Sequence, residues 1–126
     1  MPKPADIFTS TCTIAAGESL SSPADLAAGV PCYLIMPSDW NYAGGLSMQI
    51  SVDGVDYYDV FNREGREMLS AAVVPGVVHP IISDVVRNAA FLKLRSGSRE
   101  QPVVQEVART FSVILLVNPV VTQLPG

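Results

Sequence analysis

The sequence is 126 residues long, 48% hydrophobic and 16% charged, with a net charge of −4. That is the length of one domain, enough to bury roughly two-thirds of the surface of the unfolded chain, and a charged fraction below the usual value of about 25% leaves apolar surface for another chain to cover. The eight Lys and Arg are scattered and make no basic footprint for nucleic acid; no run of about 18 apolar residues suits a membrane span; and the opening MPKPADIFTSTC lacks the apolar stretch of a secretory leader.

In chain order, FTSTCTI alternates, with Phe8, Cys12 and Ile14 on one face and Thr9, Thr11 and Thr13 on the other, as in a half-buried strand. AAGESLSSPADLAAG reads as a loop with at most a short helical turn at PADLAA, because Gly17, Pro23 and Gly29 punctuate it. CYLIM is a short strand, apolar on both faces, and PSDWNYAGG is a loop with the only tryptophan. In LSMQISV, residues Leu46, Met48, Ile50 and Val52 point to a core while Ser47, Gln49 and Ser51 point to water. Asp53-Gly54 suits a two-residue type I′ turn, in which both central residues need positive φ, and a return strand is expected from Val55 to Phe61.

NREG at Asn62 to Gly65 suits a type I turn, and EMLSAAVV is the next expected strand. Pro75-Gly76 breaks it. VVHPII is a short extended piece, and SDVVRNAA is at most one or two helical turns starting at a Ser83 or Asp84 cap. FLKLR returns to β structure, SGSREQP is a loop, and RTFSVILLV is a long final strand. The expected fold is therefore all-β: a jelly-roll-like antiparallel sandwich of about eight strands over residues 7–117. Residues 1–6 and 118–126 carry prolines without a strong period and are expected as extended terminal arms.

Catalytic constellations are hard to assemble from these residues. His79, the only histidine, lies among apolar residues in VVHPII without a nucleophile elbow or an orienting carboxylate nearby, so a structural role is expected and no catalytic residue is assigned. Asp53, Asp56 and Asp59 recur every third residue but lack the order of a calcium loop, and on a strand Asp56 and Asp59 face opposite sides. Asp53 is expected to serve the turn, the other two to solvate a sheet face, and no metal is expected. Cys12 and Cys32 have no metal-binding spacing; they read as two buried thiols, with a disulfide as the alternative. Glycine-rich phosphate or dinucleotide motifs are lacking, so no cofactor is expected. Trp40, Tyr42, Tyr57 and Tyr58 are residues that a sugar-stacking surface would use, or that a core would bury.

Taken in order, GESLSSPADL, CYLIMPSDW, LSMQISVDGVDYYDVFNREGRE and NAAFLKLRSGSREQPVVQEVARTFSVIL resemble the jelly-roll cement, or decoration, proteins of tailed bacteriophages, in particular those of Bordetella-type phages. The resemblance covers roughly residues 13–117 and is carried by the strand-DG-strand hairpin and by FLKLRSGS with its following loop and last strand. It implies a virion protein on the capsid exterior, made in the host cytoplasm, that partners the major capsid protein and a second copy of itself, with no enzymatic activity. ISVDGVDYYDV with AAFLKLR is also similar to discoidin-type galactose-binding sandwiches, which makes a carbohydrate-binding module of a tail fibre or spike the alternative. Candidate partner-contacting residues are Ile7 and Phe8 at the start of the sandwich and Pro119, Val120, Val121 and Leu124 in the C-terminal arm, where apolar side chains lack the charges that usually solvate a free tail.

Overall fold

The computed structural model describes residues 7–40, 45–70, 75–81 and 83–117. Among these residues lie nine strands, β1 (Ile7–Ile14), β2 (Ala24–Asp25), β3 (Val30–Ile35), β4 (Leu46–Ser51), β5 (Tyr58–Asp59), β6 (Leu69–Ser70), β7 (Val78–Pro80), β8 (Phe91–Ser96) and β9 (Arg109–Leu116), and one helical turn, α1 (Asp84–Arg87). They form two antiparallel sheets, ordered β1-β9-β3-β7 and β2-β8-β4-β5, with β6 pairing along the same edge of β4 as β5. With β6 set aside and the other eight counted in chain order, one sheet reads first, eighth, third, sixth and the other second, seventh, fourth, fifth. That alternation between sheets is the double Greek key of a jelly roll.

Side-chain alternation builds the core between the sheets. Along β9, Phe111, Val113 and Leu115 are buried while Thr110 is exposed and Ser112 and Ile114 are half-buried. β8 turns Leu92 and Leu94 inward, and Cys12 and Ile14 of β1 complete the layer with Leu34 and Met36. Trp40 closes it, edge-on to Phe111 at 5.5 Å between ring centroids, which is a favourable quadrupole geometry. The single turn α1 is capped by Ser83, whose Oγ accepts a hydrogen bond from the Val86 N–H, and it places Val86 in the core.

Two local expectations of the chain between β1 and β5 are corrected. PADLAA makes no helical turn: Ala24 and Asp25 pair with Leu92 and Phe91 as β2, because Ala24 is drawn into the core and the Leu26 N–H bonds the Ala90 carbonyl 2.9 Å away. Asp53-Gly54 is not a type I′ turn. Of the pair only Gly54 has positive φ, 80°, and the connection from β4 to β5 is a longer loop in which Ser51 Oγ accepts from the Gly54 N–H at 2.8 Å and Asp53 Oδ1 from Val55 and Asp56 at 2.8 and 3.0 Å. These side-chain bonds replace a two-residue hairpin ladder. The return strand shrinks to β5, and Val52, expected in the core, is 72% exposed.

The NREG turn forms as expected, with the Gly65 N–H on the Asn62 carbonyl and Asn62 Oδ1 accepting from the Glu64 and Arg66 N–H groups. EMLSAAVV contributes β6, and residues 71–74 lie outside the described residues. Cys12 and Cys32 are free thiols. They stand on strands separated by β9, about two strand spacings apart, beyond the reach of a disulfide. Burial pushes the Cys12 thiol up to about 11, against a smaller opposing effect of its hydrogen bond with Ser21.

Gly97 shows where backbone freedom is required. Its φ is 86°, and an added Cβ would meet the Gln101 carbonyl oxygen and, at 3.0 Å, the Val103 nitrogen. Gly17 has a similar φ of 84° with open space around it. Gly17→Ala is expected to cost about 1–2 kcal/mol, from backbone conformation alone. Gly97→Ala should lose clearly more, because the 98–103 loop must also move; chemical denaturation of the two variants checks the difference.

Candidate functional site

The polar side chains that converge in this protein are bonded to one another. On the outer face of the second sheet, Arg95 of β8 is only 6% exposed. Its guanidinium reaches Asp59 Oδ1 at 2.5 Å, Glu67 Oε2 at 3.1 Å and Ser47 Oγ at 3.2 Å. Gln49 donates to Asp59, Arg99 pairs with Asp59 at 3.3 Å, and Ser47 donates to the Gly97 carbonyl. Burial alone would raise the Asp59 carboxyl, but the hydrogen bonds from Arg95 and Gln49, with the charges of Arg95 and Arg99, outweigh it and hold the group below its ordinary 3.8.

Arg109 makes a second clamp, donating to the Asp39 carbonyl and pairing with its carboxylate at 2.9 Å, with Gln105 between Arg109 and Ser96. The first clamp ties β8 to β5 and to Glu67 ahead of β6, and the second ties β9 to the loop at Asp39. Asp59 thus serves Arg95 rather than solvating a free sheet face, while Asp53 fixes the loop after β4; its carboxyl lies below the ordinary range because the Val55 and Asp56 N–H groups and Ser51 bond it. His79 stands half-buried on β7 opposite Leu34. Among the described residues no group of three or more His, Cys, Asp or Glu is placed to hold a metal ion.

Half of the large hydrophobic side chains exposed among the described residues lie at one end of the sandwich. β1 starts, β9 finishes and the loops after β2 and β4 turn at the same end of the sandwich, because Ile7 pairs with Leu116, Val30 with Leu116, Asp25 with Phe91 and Ser51 with Phe91. Ile7 and Phe8 are 49% and 45% exposed there, with Val52, Val55, Tyr58 and Val85 open to solvent as well. Beside them an open groove of about 460 Å³ runs between Phe8, Thr9 and Ser10 of β1, Leu115 of β9 and the loop carrying Asp25, Ala27 and Ala28.

The edge of β1 next to this groove is bare over half its length. Thr13 turns its N–H and carbonyl away from β9, toward Ser22, with which both bond. Backbone groups alternate along an antiparallel strand, so those of Ile7, Thr9 and Thr11 point the same way, and none of them bonds another described residue. Among the described residues every other sheet edge is short: β2, β5 and β6 have two residues each, and β7 has three and ends in Pro80.

Of the candidate partner-contacting residues, Ile7 and Phe8 therefore sit on an exposed apolar surface, while Pro119, Val120, Val121 and Leu124 lie outside the described residues. The groove residues Ser10, Ala27, Ala28 and Leu115 carried no signal as a group, since they come from three separated stretches. Of the four aromatic residues weighed for sugar stacking, Trp40 is buried in the core, Tyr42 lies outside the described residues, and Tyr57 lies under the Lys93 ammonium, 4.1 Å from its ring centroid. Tyr58 is 61% exposed. No protein-family model, curated protein or solved structure matches this chain.

Proposed function

We propose that this protein is a structural virion protein of a tailed bacteriophage, a cement or decoration protein that sits on the outside of the head and stabilises contacts between major capsid subunits. The observation that carries the reading is the exposure of Ile7, Phe8, Val52, Val55 and Val85 at one end of the sandwich, in a protein whose buried cations Arg95 and Arg109 are taken up by internal clamps. Contiguous exposed apolar surface on a small protein marks an interaction site. The jelly-roll strand order agrees with the resemblance to phage cement proteins in LSMQISVDGVDYYDVF and FLKLRSGS.

Such a role needs no covalent chemistry. A protein that binds the assembled shell and not its dissociated subunits shifts the equilibrium toward the shell, and symmetry repeats a modest contact many times. Mixed with expanded, undecorated heads of its phage, the purified protein should co-sediment at a fixed stoichiometry, and Phe8→Asp should reduce binding at least tenfold while the fold persists. A second reading, a carbohydrate-binding module of a tail fibre or spike, is favoured by exposed Tyr58 beside Tyr57. Retention on a glycan array without binding to heads would select it.

A further inference from the structure

We propose that Asp53-Gly54 is a latent isomerisation site, kept unreacted in the folded protein by the hydroxyl of Ser51. In an Asp-Gly pair the glycine nitrogen can attack the aspartate Cγ, because no side chain on the glycine stands in the way. A C–N bond forms, the hydroxyl of the neutral acid leaves with the N–H proton as water, and a succinimide ring results. Water then opens either ring carbonyl. One opening returns aspartate; the other gives isoaspartate, in which the main chain runs through the former side chain and is one methylene longer.

The loop after β4 cannot exchange this labile pair for an inert one. Gly54 has a φ of 80°, a region open chiefly to glycine, and a Cβ there would stand 3.0 Å from the Phe91 ring. Residue 53 must present an acceptor to the Val55 and Asp56 N–H groups, at 2.8 and 3.0 Å, a turn made by Asp and Asn side chains. Both of those residues cyclise when glycine follows them.

Ser51, wholly buried, acts on both reacting groups. Its Oγ accepts from the Gly54 N–H at 2.8 Å, and its O–H donates to Asp53 Oδ1 at 3.0 Å. The first bond engages the hydrogen that must leave the attacking nitrogen. The second joins the Val55 and Asp56 N–H groups in favouring the ionised carboxylate, which has to be neutralised before one of its oxygens can leave as water. Closing the ring gives up the whole set, since the Gly54 N–H disappears and a charged acceptor becomes a neutral one. Val52 and Val55, 72% and 78% exposed, flank the pair, so an extra methylene between them re-aims two side chains of the apolar end. That consequence rests on the proposed role, but the chemistry is tested on free protein without a shell, so either can fail without the other.

The experiment follows isoaspartate at residue 53 of the full chain at neutral pH, folded and in urea, by isoaspartyl methyltransferase labelling and peptide mapping. Wild type is expected to accumulate it far more slowly folded than in urea. Folded Ser51→Ala should react about tenfold faster than folded wild type, the effect of losing one hydrogen bond. Should Ser51→Ala unfold, Ser51→Cys, close in size but a weak donor and acceptor, reads the same contact. Asp53→Asn separates geometry from charge, because the amide keeps its Oδ1 acceptor and closes the same ring with loss of ammonia, and it too should react slowly when folded. Wild type that isomerises as fast folded as in urea, folded Ser51 variants that stay as slow as wild type, or folded Asp53→Asn that deamidates at its rate in urea would overturn the proposal.

Discussion

Replacing Arg95 by alanine is expected to remove about 3–5 kcal/mol of stability, the usual cost of breaking a buried ion pair from one side. The reason is geometric. Among the described residues Arg95 is the only cation whose side chain meets both Asp59 and Glu67, on a strand that is itself inside the sheet, and its loss leaves two carboxylates whose side chains are only 18% and 14% exposed. Arg99 stays beside Asp59, but its side chain is half in solvent and screened accordingly. Replacing the whole group, Arg95→Met with Asp59→Asn and Glu67→Gln, should recover much of the loss, because no uncompensated buried charge remains and Arg99 is half in solvent. Urea denaturation of the two variants checks the contrast.

The same clamp sets a pH dependence. Asp59 titrates below its ordinary 3.8 in the folded protein, so its contribution is complete above that value and is lost as pH falls through the lower folded one. Asp53 shifts in the same direction through its loop bonds. Acid unfolding of wild type should therefore steepen below about pH 4, and Arg95→Ala should flatten that limb only in part, because Asp53 keeps its partners. Melting temperature measured across the acid range reads both effects.

How much of this was legible in the sequence depends on the range of the interactions. FTSTCTI announces β1 by alternation, RTFSVILLV announces β9 by its long β-branched and aromatic apolar run, and Ser83 announces its cap, because each signal is local. Asp53-Gly54 misleads, since Ser51 and Asp53 side chains offer the backbone bonds that compete with a tight hairpin. Ala24 looks like part of a helical turn until Leu92 is placed beside it. FLKLR reads as a strand, but nothing in those five residues says that Arg95 will be covered, because Asp59 and Glu67 arrive from a segment some thirty residues earlier. Ile7 and Phe8 could be picked out as apolar side chains without a local partner. That β1 is a sheet edge, and that its odd residues face outward, depends on the strand order, which no local pattern contains.

Phe111→Ala is expected to be the most damaging substitution in the core, at about 3–5 kcal/mol, a large fraction of the roughly 5–15 kcal/mol that holds such a domain together. Phe111 is wholly buried on β9, a strand with neighbours on both sides, β1 and β3. Removing its ring opens a void among groups that cannot follow it inward: Cys12 is fixed opposite by the β1 ladder, and Trp40 is held by the loop whose Asp39 is clamped to Arg109. Trp40 loses its edge-to-face partner, so its fluorescence should report the change even before unfolding. Phe91→Ala provides the comparison, since that ring is half-buried at the end of β8 against Gly54 and its neighbours can close over the space. If the two variants unfold at the same denaturant concentration, the centre of the sandwich is packed less tightly than the buried Phe111 and Trp40 rings require.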